Sequence, residues 1–195
     1  MENACLKIFD APTLDGKEIL RYAGAGRRTP EVEALLAECL EEIQNGLCYK
    51  VVYREYSLKN GMPLGFDECP STLLSRTLAG CEGMILFAAT VGQRVDFLVR
   101  RYAVLSPAKA HMLDAIGTER VESLCDAFCA FAAKRAEAVG RQLRPRVSPG
   151  YGDLPLTLQK DIFAALDCPK TLGVSLGEGL LMTPRKSVTA IIGIF

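Results

Sequence analysis

The sequence predicts an α+β fold, in which a mostly antiparallel, twisted sheet is covered by helices. Stretches with helical spacing of apolar residues do not alternate strictly with stretches rich in β-branched residues. Two strand candidates, 83–91 and 187–195, are apolar on both faces, which is typical of strands inside a sheet. Apolar residues make up 49% of the 195 residues and charged residues 24%, which is enough for a buried core. We therefore expect one domain over 1–195, beginning with an irregular stretch over 1–28.

The first part of the chain shows two short helices, one long helix and a strand. A short helix is expected near 17–22, within the irregular stretch. Thr29-Pro30 begins the clearest helix, since threonine is a favoured N-cap and proline suits the first turn. Its apolar residues recur at helical spacing until Asn45-Gly46 ends it. Alternation across 47–58 predicts a strand, and 71–79 predicts another short helix.

The middle of the chain predicts a central strand followed by two helices. The strand over 83–91 is followed by an amphipathic helix over 95–102. Ser106-Pro107 then opens the longest helical stretch, which runs to about Gly140. Because that length exceeds an ordinary helix, a break or bend is expected near Gly117.

The last third of the chain predicts one helix and two strands. The helix is expected over 156–166. Residues 173–179 predict a strand with a glycine-containing turn, which leads to 180–184. Residues 187–195 are rich in β-branched side chains, and this predicts a final buried strand.

The charge balance excludes several kinds of partner. Lysine plus arginine equals aspartate plus glutamate at 23 each, so no basic excess points to nucleic acid or to a membrane surface. The longest apolar stretches are too short to span a bilayer, and the N-terminal residues do not resemble a signal peptide. We expect a soluble, cytoplasmic chain.

The eight cysteines predict neither disulfides nor a metal site. They contain no C-x-x-C pair, and the sequence has a single histidine, His111, to complete a ligand set. Small buried thiols in a reducing compartment are the alternative that we favour. Protein purified without added metal should therefore contain no stoichiometric zinc by elemental analysis. One zinc per chain would contradict this prediction.

Arg146-Val-Ser-Pro-Gly-Tyr-Gly-Asp153, called here the 146–153 motif, is the strongest candidate for a binding site. Pro149-Gly150 predicts a tight turn. Arg146 carries a forked cation suited to a carboxylate, and Tyr151 combines an aromatic face with a polar tip. Gly150 and Gly152 are expected to leave backbone amides open to a ligand. A small anion-bearing ligand fits these features, and the alternative is a strand-to-helix turn with a solvated arginine.

The sequence contains two motifs in order, namely Arg146-x-x-Pro-Gly-Tyr151, followed by a helix, and Met182-Thr-Pro184-x-x-Ser187-Val188. Together they resemble the activation domain of cobalamin-dependent methionine synthase. The fuller runs over 148–155 and 182–189 are most similar to the free-standing form of that domain, a separate protein that serves a shorter synthase. The good match covers the last third of the chain, and the long helix from Asp114 matches more loosely.

The resemblance implies a protein that binds S-adenosylmethionine and supports reductive remethylation of cob(II)alamin. The cobalamin would belong to a partner, a cobalamin-dependent methionine synthase lacking its own activation domain. The electron would come from a flavodoxin-like donor and the methyl group from S-adenosylmethionine. The chain would act as an accessory subunit of this methyltransferase system in methionine biosynthesis, without independent turnover.

The resemblance also assigns residues. Arg146 would pair with the carboxylate of the ligand, and the residues lining the ligand would be Ser148, Pro149, Gly150 and Tyr151. Weaker candidates for the same site are Gly152, Asp153, Glu122, Met182 and Ser187. The family's long form binds the amino group with an early acidic residue, which is missing here at 22–25, so Glu122 or Asp153 is expected to substitute. Arg185 and Lys186 are candidates for contact with the partner or the corrin, the alternative being a solvated strand end.

Two other functions remain open at this stage. One is a binding module of the same fold, which senses S-adenosylmethionine or activates a different corrinoid protein. The other is a stand-alone small-molecule methyltransferase, although the sequence offers neither a G-x-G-x-x-G context nor a base with a partner. No catalytic residue is assigned.

Overall fold

A computed structural model of the chain describes residues 4–59, 62, 66 and 69–195. The strands are β1 (Cys5–Ile8), β2 (Lys50–Ser57), β3 (Gly83–Thr90), β4 (Ser175–Leu176), β5 (Met182–Thr183) and β6 (Ser187–Ile194). The main sheet is antiparallel throughout, in the order β1-β2-β3-β6, and β4 pairs with β5 in a small hairpin. This confirms the predicted α+β fold with an antiparallel sheet.

Seven α-helices surround the sheet within the described residues. They are α1 (Gly16–Tyr22), α2 (Pro30–Ile43), α3 (Thr72–Leu78), α4 (Arg94–Leu105), α5 (Pro107–Glu137), α6 (Gln159–Leu166) and α7 (Cys168–Thr171). Short 3-10 turns follow α2, at Gln44–Gly46, and precede α6, at Leu156–Leu158. The Thr29 hydroxyl accepts a hydrogen bond from the Val32 amide, which confirms the predicted N-cap of α2.

The sheet separates two hydrophobic cores, because side chains alternate between the faces of a strand. On one face, Ile85 and Phe87 of β3 pack with α1, α2, α4 and α5. On the other face, Met84 and Leu86 pack with α3, α6 and α7. Every residue of β3 is buried, as expected for the predicted central strand.

Gly117 does not interrupt the long helix, so the expected break there is wrong. α5 continues for 31 residues through this position. A Cβ atom at Gly117 would lie 2.6 Å from Val95 Cγ1 and 2.9 Å from Lys186 Cγ. The glycine therefore lets α4 and the segment before β6 approach α5 closely.

β1 was not predicted, because the stretch over 1–28 was expected to be irregular apart from one helix. The strand has four residues, three of them exposed, and among the described strands it pairs only with β2. A strand of this length at a sheet edge has no buried face to give its sequence a clear alternation. The short helix expected near 17–22 is confirmed as α1, and residues 1–3 lie outside the described residues.

The outer edge of β6 is covered by residues 142–147, called here the edge segment. The backbone N–H groups of Gln142, Arg144 and Val147 donate to carbonyls of β6 and Phe195 at N···O distances of 2.8 to 2.9 Å, and the Phe195 N–H donates back to Gln142 at 3.0 Å. Isolated antiparallel bridges form at Leu143 and Val147. The backbone is thus fixed on both sides of Arg146, at Arg144 and Val147.

Gly193 should not tolerate a side chain. A Cβ atom there would lie 2.7 Å from both the Thr77 carbonyl oxygen and the Cys81 sulfur, closer than real contacts allow. Gly193→Ala should therefore lower the free energy of unfolding by about 1–3 kcal/mol, through forced displacement of α3. Urea denaturation measures this as a lower midpoint. Gly26→Ala is the control, because its Cβ would meet no atom within 4 Å. Equal midpoints for both variants would contradict the prediction.

Candidate functional site

A cleft of about 150 Å³ lies beside β6, where the 146–153 motif meets α5 and α6. Its lining consists of Glu122, Arg146, Ser148, Pro149, Tyr151, Gln159, Met182, Ser187, Val188 and Thr189. Both of the motifs noted in the sequence therefore contribute to one concave surface. Of the sequence-predicted site residues, the cleft brings together Arg146, Ser148, Pro149, Tyr151, Glu122, Met182 and Ser187.

The turn of the 146–153 motif is held by its own backbone hydrogen bonds. Gly150 has a φ of 93°, a conformation that favours glycine. Its N–H donates to the Leu154 carbonyl at 2.8 Å, and the Tyr151 N–H donates to the Ser148 carbonyl at 3.2 Å. The expectation that the Gly150 amide is open to a ligand is therefore wrong. The turn leaves the Tyr151 residue 69% exposed at the rim of the cleft.

Arg146 faces two carboxylates of α5. Its Nη2 lies 2.6 Å from Glu122 Oε2 and 3.4 Å from Asp126 Oδ1. Burial lowers the pKa of Arg146, but the hydrogen bond to Glu122 and the surrounding acidic groups raise the pKa more, so the guanidinium stays charged. Among the described residues, neither Nε nor Nη1 of Arg146 donates a hydrogen bond. The fork thus keeps donors for a further anion.

Asp153 caps α3 instead of lining the cleft. Its carboxylate accepts hydrogen bonds from the Thr72 and Leu73 amides at 2.7 and 3.0 Å, and from the Ser71 hydroxyl at 2.9 Å. The Thr72 hydroxyl donates to the same group. These bonds, the Thr72 hydroxyl first, hold the pKa of the Asp153 carboxyl well below its usual range. Asp153 therefore anchors the end of the 146–153 motif, and Gly152 beside it adopts a φ of 56°.

Arg185 and Lys186 have different surroundings. Lys186 Nζ lies 2.8 Å from Asp114 Oδ1 and 2.9 Å from the Thr118 hydroxyl, so this side chain binds α5. Arg185 is exposed and borders a neighbouring cleft of about 290 Å³, whose lining includes Asp96 and Asp114. Only Arg185 of the two presents its side chain at the surface.

Sequence reasoning missed Gln159 and Thr189. Both line the cleft, with residue exposures of 6% and 2%. Gln159 Oε1 and Thr189 Oγ1 are buried and have no hydrogen-bond partner among the described residues. The sequence signal for Thr189 is the alternation along β6, which places it on the same face as Ser187. Gln159 stands at the first position of α6 and carries no comparable signal.

Residues 22–25 lie at the end of α1, and Tyr22 is close enough to Glu122 to respond to its charge. Burial first, and then the charge of Glu122, raise the pKa of the Tyr22 phenol. The stretch that leads to α1 is fixed by the buried pair Glu119 and Arg120 of α5. Arg120 donates to the carbonyls of Pro12 and Thr13 at 2.7 and 2.9 Å.

Metal ligands are not clustered in the part of the chain that the structure describes. No three histidine, cysteine or acidic side chains lie close enough there to hold an ion. Burial raises the pKa of Cys129 and of Cys39 to about 11, so both thiols are protonated at neutral pH. As a separate finding, none of the described helices has the length and hydrophobicity needed to cross a membrane.

Comparison with known proteins finds similarity to solved structures. No protein-family model matches the chain, and no curated protein matches its sequence. Among solved structures, a crystal structure of the MetH reactivation domain bound to AdoHcy is similar, with a TM-score of 0.68 and 16% sequence identity. The likeness covers 98% of this chain and 78% of that chain. This protein therefore has the fold of the MetH reactivation domain.

Proposed function

We propose that the chain binds S-adenosylmethionine in this cleft and supports reductive remethylation of cob(II)alamin on a partner methionine synthase. One observation carries the proposal: the 146–153 motif and the residues Met182, Ser187 and Val188 line a single cleft. They do so in a chain whose fold matches a reactivation domain crystallised with AdoHcy. AdoHcy, S-adenosylhomocysteine, is S-adenosylmethionine without its transferable methyl group, so both ligands offer the same adenosine and amino-acid groups for recognition.

The charges of the cleft suit the amino-acid end of this ligand. Arg146 and Glu122 stand side by side with opposite charges, and their side chains are 24% and 32% exposed. An α-amino acid carries a carboxylate and an ammonium group a few bonds apart. The carboxylate would pair with the unused donors of Arg146, and the ammonium would pair with Glu122. Glu122 would thus replace the acidic residue that is missing at 22–25. Its carboxylate lies close enough to this stretch for its charge to add to burial in raising the pKa of Tyr22.

The remaining lining suits the rest of the ligand. Ser148, Pro149 and Met182 contribute a mixed polar and apolar wall. Gly150 would contribute through the turn that it permits. The exposed ring of Tyr151 provides an aromatic face at the rim, where a ligand base or a corrin would lie.

The cleft would bind the ligand without reacting with it. Among the described residues that line the cleft, none is a histidine, cysteine or lysine that would act as a nucleophile or a base near neutral pH. The acceptor of the methyl group would therefore be supplied by the partner, as cobalamin reduced by a flavodoxin-like donor. The role of this chain is to bind the ligand and to orient its sulfonium methyl toward the partner.

A spectroscopic experiment tests the proposal. Inactive synthase lacking its own activation domain is mixed with S-adenosylmethionine and a reductant, with and without this protein. We expect the visible spectrum of methylcobalamin only when the protein is present. Identical spectra in both mixtures would reject the reactivation function. Calorimetric titration with AdoHcy then separates the remaining possibilities, because binding without reactivation would favour a sensing module.

A further inference from the structure

We propose that Gln159 and Thr189 form a second, uncharged subsite of the cleft, which binds neutral polar groups of the adenosine part of the ligand. This inference rests on the proposed function. It adds the residues that would distinguish a nucleoside from other molecules with an amino-acid end.

The first support is the pair of unpartnered polar atoms. Gln159 and Thr189 line the cleft. Their Oε1 and Oγ1 atoms are buried, and no described residue forms a hydrogen bond with either atom. A buried polar atom without a partner is costly, so such atoms are rare in native proteins unless water or a ligand serves them. Two of them in one cleft point to a ligand with matching groups.

Ser187, two residues before Thr189 on the same face of β6, shows the contrast. Its hydroxyl lies 2.8 Å from the Thr90 hydroxyl and donates to the Pro184 carbonyl at 2.8 Å. The hydrogen-bonding capacity of Ser187 is thus used within the fold. Thr189, in contrast, has a hydroxyl that forms no hydrogen bond with any described residue.

The second support is the separation of charged and neutral groups. Glu122 and Arg146 bring their charges from α5 and the edge segment. Gln159 and Thr189 are uncharged and come from α6 and β6. The isolated antiparallel bridge between Val147 and Ile191 joins the segment that carries Arg146 to β6, the strand of Thr189. A ligand with a charged end and a neutral polar body matches this arrangement.

A ribose diol and the edge of adenine have the required chemistry. Both carry donors and acceptors without charge. The Gln159 oxygen accepts a hydrogen bond, and the Thr189 hydroxyl both donates and accepts. A purely apolar ligand body would leave both atoms unsatisfied, and the site would discriminate against it.

The test compares two ligands and three substitutions. AdoHcy carries both parts of the proposed ligand, whereas 5′-methylthioadenosine lacks the amino-acid end. Thr189→Val and Gln159→Met remove one polar group each at similar volume. Each should weaken both ligands by the same factor, about three- to tenfold, as expected for one neutral hydrogen bond. Arg146→Leu should weaken AdoHcy and leave 5′-methylthioadenosine unchanged.

A matched control distinguishes the subsite from general damage. Thr77 is also buried, but its hydroxyl already donates to the Leu73 carbonyl, outside the cleft. Thr77→Val should lower the melting temperature and leave both affinities unchanged. Thr189→Val should not lower the melting temperature, because the hydroxyl that it removes has no partner in the fold. If Thr189→Val fails to fold, Gln159→Met and Thr189→Ser, which keeps the hydroxyl and should keep the affinity, complete the test.

The outcomes separate the two proposals. If the unmodified protein binds neither ligand, the proposed function is rejected. If it binds both and the two cleft variants bind them equally well, the polar atoms serve water only and the subsite is rejected. If the variants weaken AdoHcy but not 5′-methylthioadenosine, the two residues recognise the amino-acid end, and the subsite as proposed is wrong.

Discussion

Arg146→Leu should weaken the binding of AdoHcy and of S-adenosylmethionine by about thirtyfold or more. A charge-assisted contact to a carboxylate in a partly buried site is commonly worth about 2 kcal/mol, and each 1.4 kcal/mol is about tenfold in affinity. Leucine would leave the carboxylate of the ligand unpaired beside Glu122, so like charges would add to the loss. Arg146→Lys should recover only part of the affinity, because an ammonium group lacks the fork.

The same variant separates a ligand-binding role from a structural one. The Glu122 side chain is about one-third exposed, so it stays hydrated when Arg146 is removed, and the melting temperature should change little. Arg144→Leu is the matched control, since Arg144 lies in the same edge segment with an exposed side chain. Calorimetric titration with AdoHcy and melting curves of both variants distinguish the ligand-binding role from the structural role. A large fall in melting temperature with unchanged affinity would make Arg146 a structural residue.

Arg120→Met should lower the free energy of unfolding by about 3–5 kcal/mol, because it leaves a buried carboxylate without its counter-charge. Glu119 and Arg120 are only 2% and 3% exposed, and their side chains pair with each other. The substitution also removes the donors that hold the carbonyls of Pro12 and Thr13. Urea denaturation monitored by circular dichroism measures the loss.

Two further variants test the cause of that loss. Glu119→Leu combined with Arg120→Met should recover part of the stability, since replacing both partners of a buried pair by apolar residues is often neutral. Arg21→Met removes an exposed pair with Glu18 and should leave the midpoint nearly unchanged. If Arg120→Met were no more damaging than Arg21→Met, the buried pair would not hold the N-terminal segment.

Sequence patterns predicted the helices and strands whose own residues specify their structure. β3 is apolar at every position from 84 to 89, and α2 begins at Thr29-Pro30, so each element is specified by its own residues. β1 is specified by pairing with β2, and its own sequence gives no such signal. At Gly117 the local rule pointed to a break, but tertiary packing against Val95 decided the outcome.

The residues of the candidate site also differ in whether the sequence alone could predict their roles. Arg146 and Tyr151 belong to a recognisable motif, and Glu122 came from the need for an acidic group near the ammonium of the ligand. The role of Asp153 was not predictable, because its partner Ser71 lies 82 residues away in the sequence. Gln159 and Thr189 are identified by buried polar atoms without partners, a property that Tyr56 shares outside the cleft, and it appears only when all neighbouring atoms are placed.

The hydrogen bonds of the edge segment have a consequence for self-association. β6 combines β-branched and other apolar residues with no charged side chain, and without a cover its outer edge would offer a template for pairing with another chain. The edge segment occupies the donors and acceptors along that side at Gln142, Arg144 and Val147. Because the same segment carries Arg146, any change that pulls it away from β6 would expose an aggregation-prone edge while it displaces the arginine from the cleft. Resistance to edge-to-edge aggregation and the position of the principal cation of the site thus depend on one set of backbone hydrogen bonds.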